Sequence, residues 1–117
     1  LIVMKPQKID KDMSWELVLW ITNNESLHKQ CRCCALNLAK KIHKGAYDAD
    51  KAPKIFVHPV KRAITEYRRE VGPIRSVNAA TKLHAARDLL DSYQEDIAEL
   101  VERLNAGEKI PMHEVPQ

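Results

Sequence analysis

Four side chains with metal-binding and redox chemistry fall within one short stretch: His28, Cys31, Cys33 and Cys34. Cys31-x-x-Cys34 has the spacing of a redox pair or of half a zinc site, and His28 precedes Cys31 by one helical turn. Zinc accepts thiolate and imidazole ligands, but a structural zinc site usually draws a second ligand pair from elsewhere in the chain. No second CxxC and no HxxxH is present, and His43, His58 and His84 each stand alone. A thioredoxin-like CxxC requires a strand–helix–strand setting, which this sequence does not offer. Cys31 and Cys34 also fall on the apolar stripe of a helix, where a reduced cysteine behaves as a small hydrophobe. The expectation is core packing, with no metal and no cofactor.

Carboxylates form the second candidate. Asp88, Asp91 and Glu95 lie at spacings of three and four, and Glu95, Glu99 and Glu102 repeat the pattern. Paired carboxylates serve acid–base work or bind cations. Carboxylate metal bundles, however, need inward-facing Glu-x-x-His motifs on partner helices, and none occurs. These acids read as the polar side of an amphipathic helix. No glycine-rich phosphate loop and no nucleophile-plus-base motif is present, so no enzyme is expected.

The third candidate is basic. Lys40, Lys41, Lys44, Lys51, Lys54, Lys61, Arg62, Arg68, Arg69 and Arg75 crowd the middle of the chain. They could neutralise phosphates, yet no zinc finger, RNP-type aromatic set or helix-turn-helix accompanies them. Arg68 and Arg69 sit between Glu66 and Glu70, which breaks the single sign of charge. Residues 1–75 hold 15 Lys and Arg against 8 Asp and Glu, whereas residues 76–117 hold 4 against 8. A basic front and an acidic back imply internal pairing or opposed charged faces. The candidate binding residues are Lys40, Lys41, Lys44, Lys61, Arg62 and Arg69. Trp20 joins them as an anchor where it is exposed; core packing is the plainer expectation for both Trp15 and Trp20.

These residues must be held by helices. Aromatics make up 5% of the 117 residues and glycines number three, which is poor for sheets and rich in helix formers. One domain fits this length. Residues 1–13 lack a period and read as a loose lead-in. Ser14 suits an N-cap for a short helix over Trp15 to Ile21. Thr22-x-x-Glu25 has the form of a capping box and restarts the chain. The stripe Leu27, Cys31, Cys34, Leu38, Ile42 then predicts a helix over 24–44, ended by Gly45. Asp48 or Asp50 can cap the next helix, over 51–71. Pro59 lies inside its pattern, yet the apolar register of Ala52, Ile55/Phe56, Val60, Ala63/Ile64, Tyr67 and Val71 continues across it. The reading is one kinked helix or two that abut at His58.

Gly72-Pro73 is a firm break, and Ser76 or Asn78 can cap a final helix over 77–106. Its stripe is Val77, Ala80, Leu83, Ala86, Leu90, Tyr93, Ile97, Leu100 and Leu104, and from Leu90 the spacings alternate 3 and 4, as in a heptad seam. Such a seam would also suit a homodimer. Glu108 to Gln117 reads as a tail. The predicted fold is all-α: a small antiparallel bundle of three long helices plus a short N-terminal one, with one domain over 14–107.

No run of the sequence is apolar enough to span a bilayer, and the opening Leu1-Ile2-Val3-Met4 is too short for a signal-peptide core. An odd, local set of cysteines fits a reducing compartment, so a cytoplasmic protein is expected, with no membrane partner.

The stretch W-E-L-V-L-W-I-T-N-N-E-S-L, from Trp15 to Leu27, resembles the opening of small all-helical proteins encoded by tailed phages and prophages. Tyr47-Asp48, Lys51-Ala52, Phe56, Tyr67 and the run from Ala85 to Ile97 fit the same pattern. Pro59 and the cysteine cluster depart from it. The resemblance implies an origin, a phage accessory gene acting in bacterial cytoplasm, and carries over no site residues. The function expected is a non-catalytic accessory protein that binds a host protein or complex, such as a host-defence inhibitor of the anti-CRISPR kind. The alternative is a nucleic-acid-binding regulator that uses the basic half.

Overall fold

The computed structural model describes residues 8–74 and 76–111. Arg75 and the outer parts of the predicted lead-in (1–7) and tail (112–117) lie outside the described residues. The described chain is all-helical: α1 (Lys11–Asn23), α2 (Glu25–His43), α3 (Ala52–Ile55), α4 (Val57–Glu70), α5 (Ala79–Ser92) and α6 (Gln94–Asn105). Within it, no helix is long and apolar enough to cross a membrane.

Local signals set most helix ends, although three caps differ from expectation. α1 starts earlier than Ser14, because the Asp10 side chain accepts from the Met13 N–H at 3.0 Å. Ser14 is instead buried inside α1. The chain then reverses at Asn24, whose backbone is extended (φ −105°, ψ 118°) and whose side chain accepts from the Leu27 N–H. Thr22 does not cap, since its hydroxyl turns back to the carbonyl of Val18 at 2.9 Å. Gly45 closes α2 in a left-handed conformation (φ +75°), which lets the Ala46 N–H reach the carbonyl of Lys41. α3 has no side-chain cap; Asp48 opens the preceding turn through its carbonyl and a bond from the Asp50 N–H. Asn78 caps α5 as expected, accepting from the Thr81 N–H at 2.8 Å.

Two predicted long helices are each broken, at Phe56 and at Tyr93. The first break comes two residues before the expected His58. The reason is Pro59: a break at Phe56 places it in the first turn of α4, where a missing N–H costs little. The carbonyl of Ile55, which residue 59 would serve in an unbroken helix, accepts instead from the Cys34 thiol at 3.5 Å. The expected register survives, with Ala52, Phe56, Val60, Ala63 and Ile64 all buried. At the second break the stripe Leu90, Tyr93, Ile97, Leu100, Leu104 stays buried, but α5 packs on α1, α3 and α4 whereas α6 packs along α2. A single straight rod could not reach both sets of neighbours. The two breaks meet, for the rings of Phe56 and Tyr93 stack with centroids 6.0 Å apart.

Leu17, Ile21, Leu27, Leu36, Phe56, Val60 and Leu89 are wholly enclosed, each contributing about 1.5–3 kcal/mol by its burial. The heptad seam serves this core, its α6 part turned toward α2 of its own chain. The ends of the domain are also tied down. The Asp10 N–H donates to Thr81 Oγ1 and Asn78 Nδ2 donates to the carbonyl of Lys8. Beyond α6, Gly107 (φ +88°) turns the chain so that Glu108 pairs with Arg103 and Ile110 packs into the core. Residues 8–10 of the predicted lead-in and 108–110 of the predicted tail are therefore held against the helices.

Candidate functional site

The cysteines are part of the scaffold. Cys31 is fully buried and Cys34 nearly so, on the stripe expected of them, while Cys33 is half-buried. None is in a disulfide. Burial pushes the Cys31 thiol up to about 12 and the Cys34 thiol up to about 11, so neither supplies a thiolate at neutral pH. Cys31 is hydrogen-bonded to the Tyr93 hydroxyl, which also lies 2.5 Å from His28 Nδ1. Burial holds Tyr93 well above its ordinary value as well. His28, Cys31 and Tyr93 form a hydrogen-bonded chain that fastens the α5–α6 break to α2. Among the described residues no group of three or more His, Cys, Asp or Glu is placed to hold a metal ion.

A second constellation was not anticipated from the sequence. Ser14 Oγ lies 2.8 Å from His84 Nδ1, and Asp88 Oδ2 lies 3.6 Å from that same nitrogen. A serine–histidine–acid relay needs the serine on one ring nitrogen and the acid on the other. Here both approach Nδ1, and Ser14 has no exposed surface for a substrate to reach. The arrangement ties α1 to α5 and gives no nucleophile. Only its i, i+4 half, His84 and Asp88, was legible in the sequence; Ser14 is seventy residues away.

The predicted basic set is dispersed. Lys40 and Lys44 line, with His43, an open groove of about 390 Å³ floored by Leu104, Ile110 and Pro111. Lys41 faces elsewhere, lining an open groove of about 500 Å³ with Asn37, Lys51, Lys54, Ile55 and His58. Lys61 is exposed near the start of α4. Arg62 is committed to the fold, donating to Glu66 at 3.0 Å and to Ser26 on α2 at 2.9 Å. Arg69 lies at the far end of α4, 3.8 Å from Glu70. Lys51, Lys54 and His58 are thus brought beside Lys41 by the packing of α3 and α4 on α2.

The two charged halves hardly neutralise one another. Of the ion pairs among the described residues, only Arg32–Asp96, at 3.8 Å, joins them. Asp91, Glu95, Glu99 and Glu102 are exposed. The opposed-face expectation describes the molecule better than internal pairing does.

The tryptophans exchange roles. Trp20 is half-buried, edge-on to Tyr67 with centroids 5.4 Å apart, and its Nε1 is buried without a hydrogen-bond partner. Trp15 is the exposed one, at 61%, and Leu19 one turn later is 38% exposed. Beside them a shallow groove of about 300 Å³ is lined by Glu16, Leu19, Trp20, Asn23 and Asn24. The helical period does not separate the pair, since Trp15 and Trp20 flank, on opposite sides, the inner face that Leu17, Val18 and Ile21 define.

Comparison with protein families, with curated proteins and with solved structures gives no match for this chain.

Proposed function

We propose that this protein is a non-catalytic binding protein that docks on a protein partner through the outer face of α1. The observation that carries the reading is Trp15, exposed over 61% of its surface on a well-formed helix. Leaving so large an apolar ring in water forgoes about 2 kcal/mol or more of burial. Leu19 extends the patch, the groove beside Trp20 gives it relief, and Lys11, Asp12 and Glu16 rim it with charges of both signs. The matching partner surface is an apolar pocket with a polar rim. The buried Ser14 and the neutral Cys31 and Tyr93 support a role without covalent catalysis.

The likeness of the segment Trp15 to Leu27 to phage and prophage proteins supports a narrower form of the proposal. In that form the partner is a bacterial host protein or complex, and the chain is a phage accessory inhibitor of host defence acting in the cytoplasm.

The test is affinity capture from bacterial lysate at physiological salt, followed by titration of the captured protein against wild type and Trp15→Ala. Loss of a central aromatic anchor should weaken binding about 30-fold or more, with unchanged helicity. A partner that binds Trp15→Ala as tightly as wild type would refute docking through α1.

A further inference from the structure

Between residues 26 and 65 the sequence carries nine Lys and Arg and only two carboxylates, Asp48 and Asp50. Arg62 is spent on Glu66 and Ser26, and Arg32 on Asp96. Among the cations that remain, the fold gathers one group into one place. On α3 and α4, Lys51, Lys54, His58 and Lys61 follow one another at spacings of three, four and three, and all are exposed. Facing them on α2 are Asn37 and Lys41, also exposed. The groove between the two rows, about 500 Å³, is lined by three lysines, one histidine, one asparagine and Ile55, without a carboxylate. Asp48 lies at one end only, in the smaller cleft that shares Lys41 and Lys51, and its side chain accepts from the Asp50 N–H. The acids of α6 belong to a helix that packs along α2 and makes no comparable contact with α3 or α4.

The geometry points to a second binding surface, independent of the α1 face: the groove between α2 and α3–α4 takes the phosphodiester backbone of a nucleic acid. Three features select this occupant. The groove is open and shallow, which suits an extended polyanion and not an enclosed metabolite. Its cations are lysines on flexible stems in two rows, able to reach successive phosphates as point charges. It is lined by no Phe, Tyr or Trp on which bases could stack, and by no arginine fork for a base edge, so recognition is of backbone charge and not of sequence. Duplex, with its higher density of charge, should therefore bind at least as well as single strand.

Lys41, Lys51, Lys54 and Lys61 provide roughly four phosphate contacts, so log Kd should rise with log salt at a slope of about 3.6. Between about 50 and 200 mM salt the affinity for a short duplex of arbitrary sequence should fall about 150-fold. The experiment is a fluorescence-anisotropy titration of the whole chain with that duplex, the matching single strand, and poly-glutamate. Lys41→Ala with Lys54→Ala should halve the slope to about 1.8, reducing the salt effect to about 12-fold. Lys82→Ala with Arg87→Ala, an equal loss of charge on α5, should leave the slope as it was. All four positions are solvent-accessible, and circular dichroism confirms that each variant is folded. A wild-type slope below about 1, or a slope the groove variant does not alter, would overturn the proposal. So would tighter binding of the single strand, or poly-glutamate bound as tightly as duplex, which would make the surface a reader of acidic protein.

Discussion

Removing the Cys34 thiol should cost more while Pro59 is present than when it is absent. The thiol is 7% exposed and donates to the Ile55 carbonyl at 3.5 Å, the acceptor that Pro59 cannot serve. Cys34→Ala deletes one buried heavy atom, worth about 1 kcal/mol of burial. It also deprives a carbonyl in the interior of its donor, which costs about 1–3 kcal/mol, at the low end here because a thiol is a weak donor. The expected loss is about 2 kcal/mol, or a fall in Tm of about 8 °C for a chain of this size. In a Pro59→Ala background the new N–H can serve Ile55, so the same deletion should cost only about 1 kcal/mol, for the lost burial. The cost of losing the proline ring appears in both arms of the cycle and cancels. Urea denaturation followed by circular dichroism on the four proteins measures the coupling, expected at about 1 kcal/mol. Additive behaviour within about 0.3–0.5 kcal/mol would refute the reasoning. It would mean that the cysteine and the proline are neighbours without being partners.

Two further outcomes test the scaffold. The Cys31 and Cys34 thiols are raised to about 12 and about 11 from 9.0, so the folded state favours their neutral forms. Stability should be fully present below pH 9 and lost as pH rises toward 11–12, at about 1.4 kcal/mol per pH unit for each thiol; equal urea midpoints at about pH 8 and pH 10 would contradict this. Asn24→Ala, which removes the α2 cap, should cost about 1 kcal/mol, whereas Thr22→Ala should stay within about 0.5 kcal/mol. Thermal melts of the pair would show the reverse order if Thr22 were the cap.

The sequence by itself determined that the chain is helical, and it placed the middle of the core faces of α2 and of the α3–α4 segment, although Ile42 and Tyr67 are half-buried, Val71 is exposed, and the buried Ala35, Leu36 and Ala39 lie off the expected stripe. Leu27, Cys31, Cys34 and Leu38, and then Ala52, Phe56, Val60 and Ile64, recur at helical spacing and are buried as that spacing requires. It also placed the cap at Asn78 and the stop at Gly45, because an amide acceptor and a left-handed glycine act on their own neighbours. In α5 the reading was partly wrong: Ala80 and Leu83 are half-buried, while Thr81, Ala85 and Leu89 are enclosed. A single stripe suits a helix with only one buried side, whereas α5 meets α1, α3 and α4 together.

Only the tertiary structure decided where the long helices break, which tryptophan faces water, and which lysines share a groove. Phe56 and Tyr93 carry no helix-breaking signal of their own. Pro59 calls for a break in the α3–α4 segment, but its place at Phe56, and the break at Tyr93, go with the tertiary contacts there: the two rings stack, and α2 supplies Cys34 to one break and His28 and Cys31 to the other. Lys41 and Lys54 are thirteen positions apart, and Ser14 and His84 are seventy. Helical periodicity fixes which side of its own helix a residue occupies, because it depends on backbone geometry within a few turns. What stands opposite that side depends on how helices distant in sequence exclude water between them, and no local spacing encodes it.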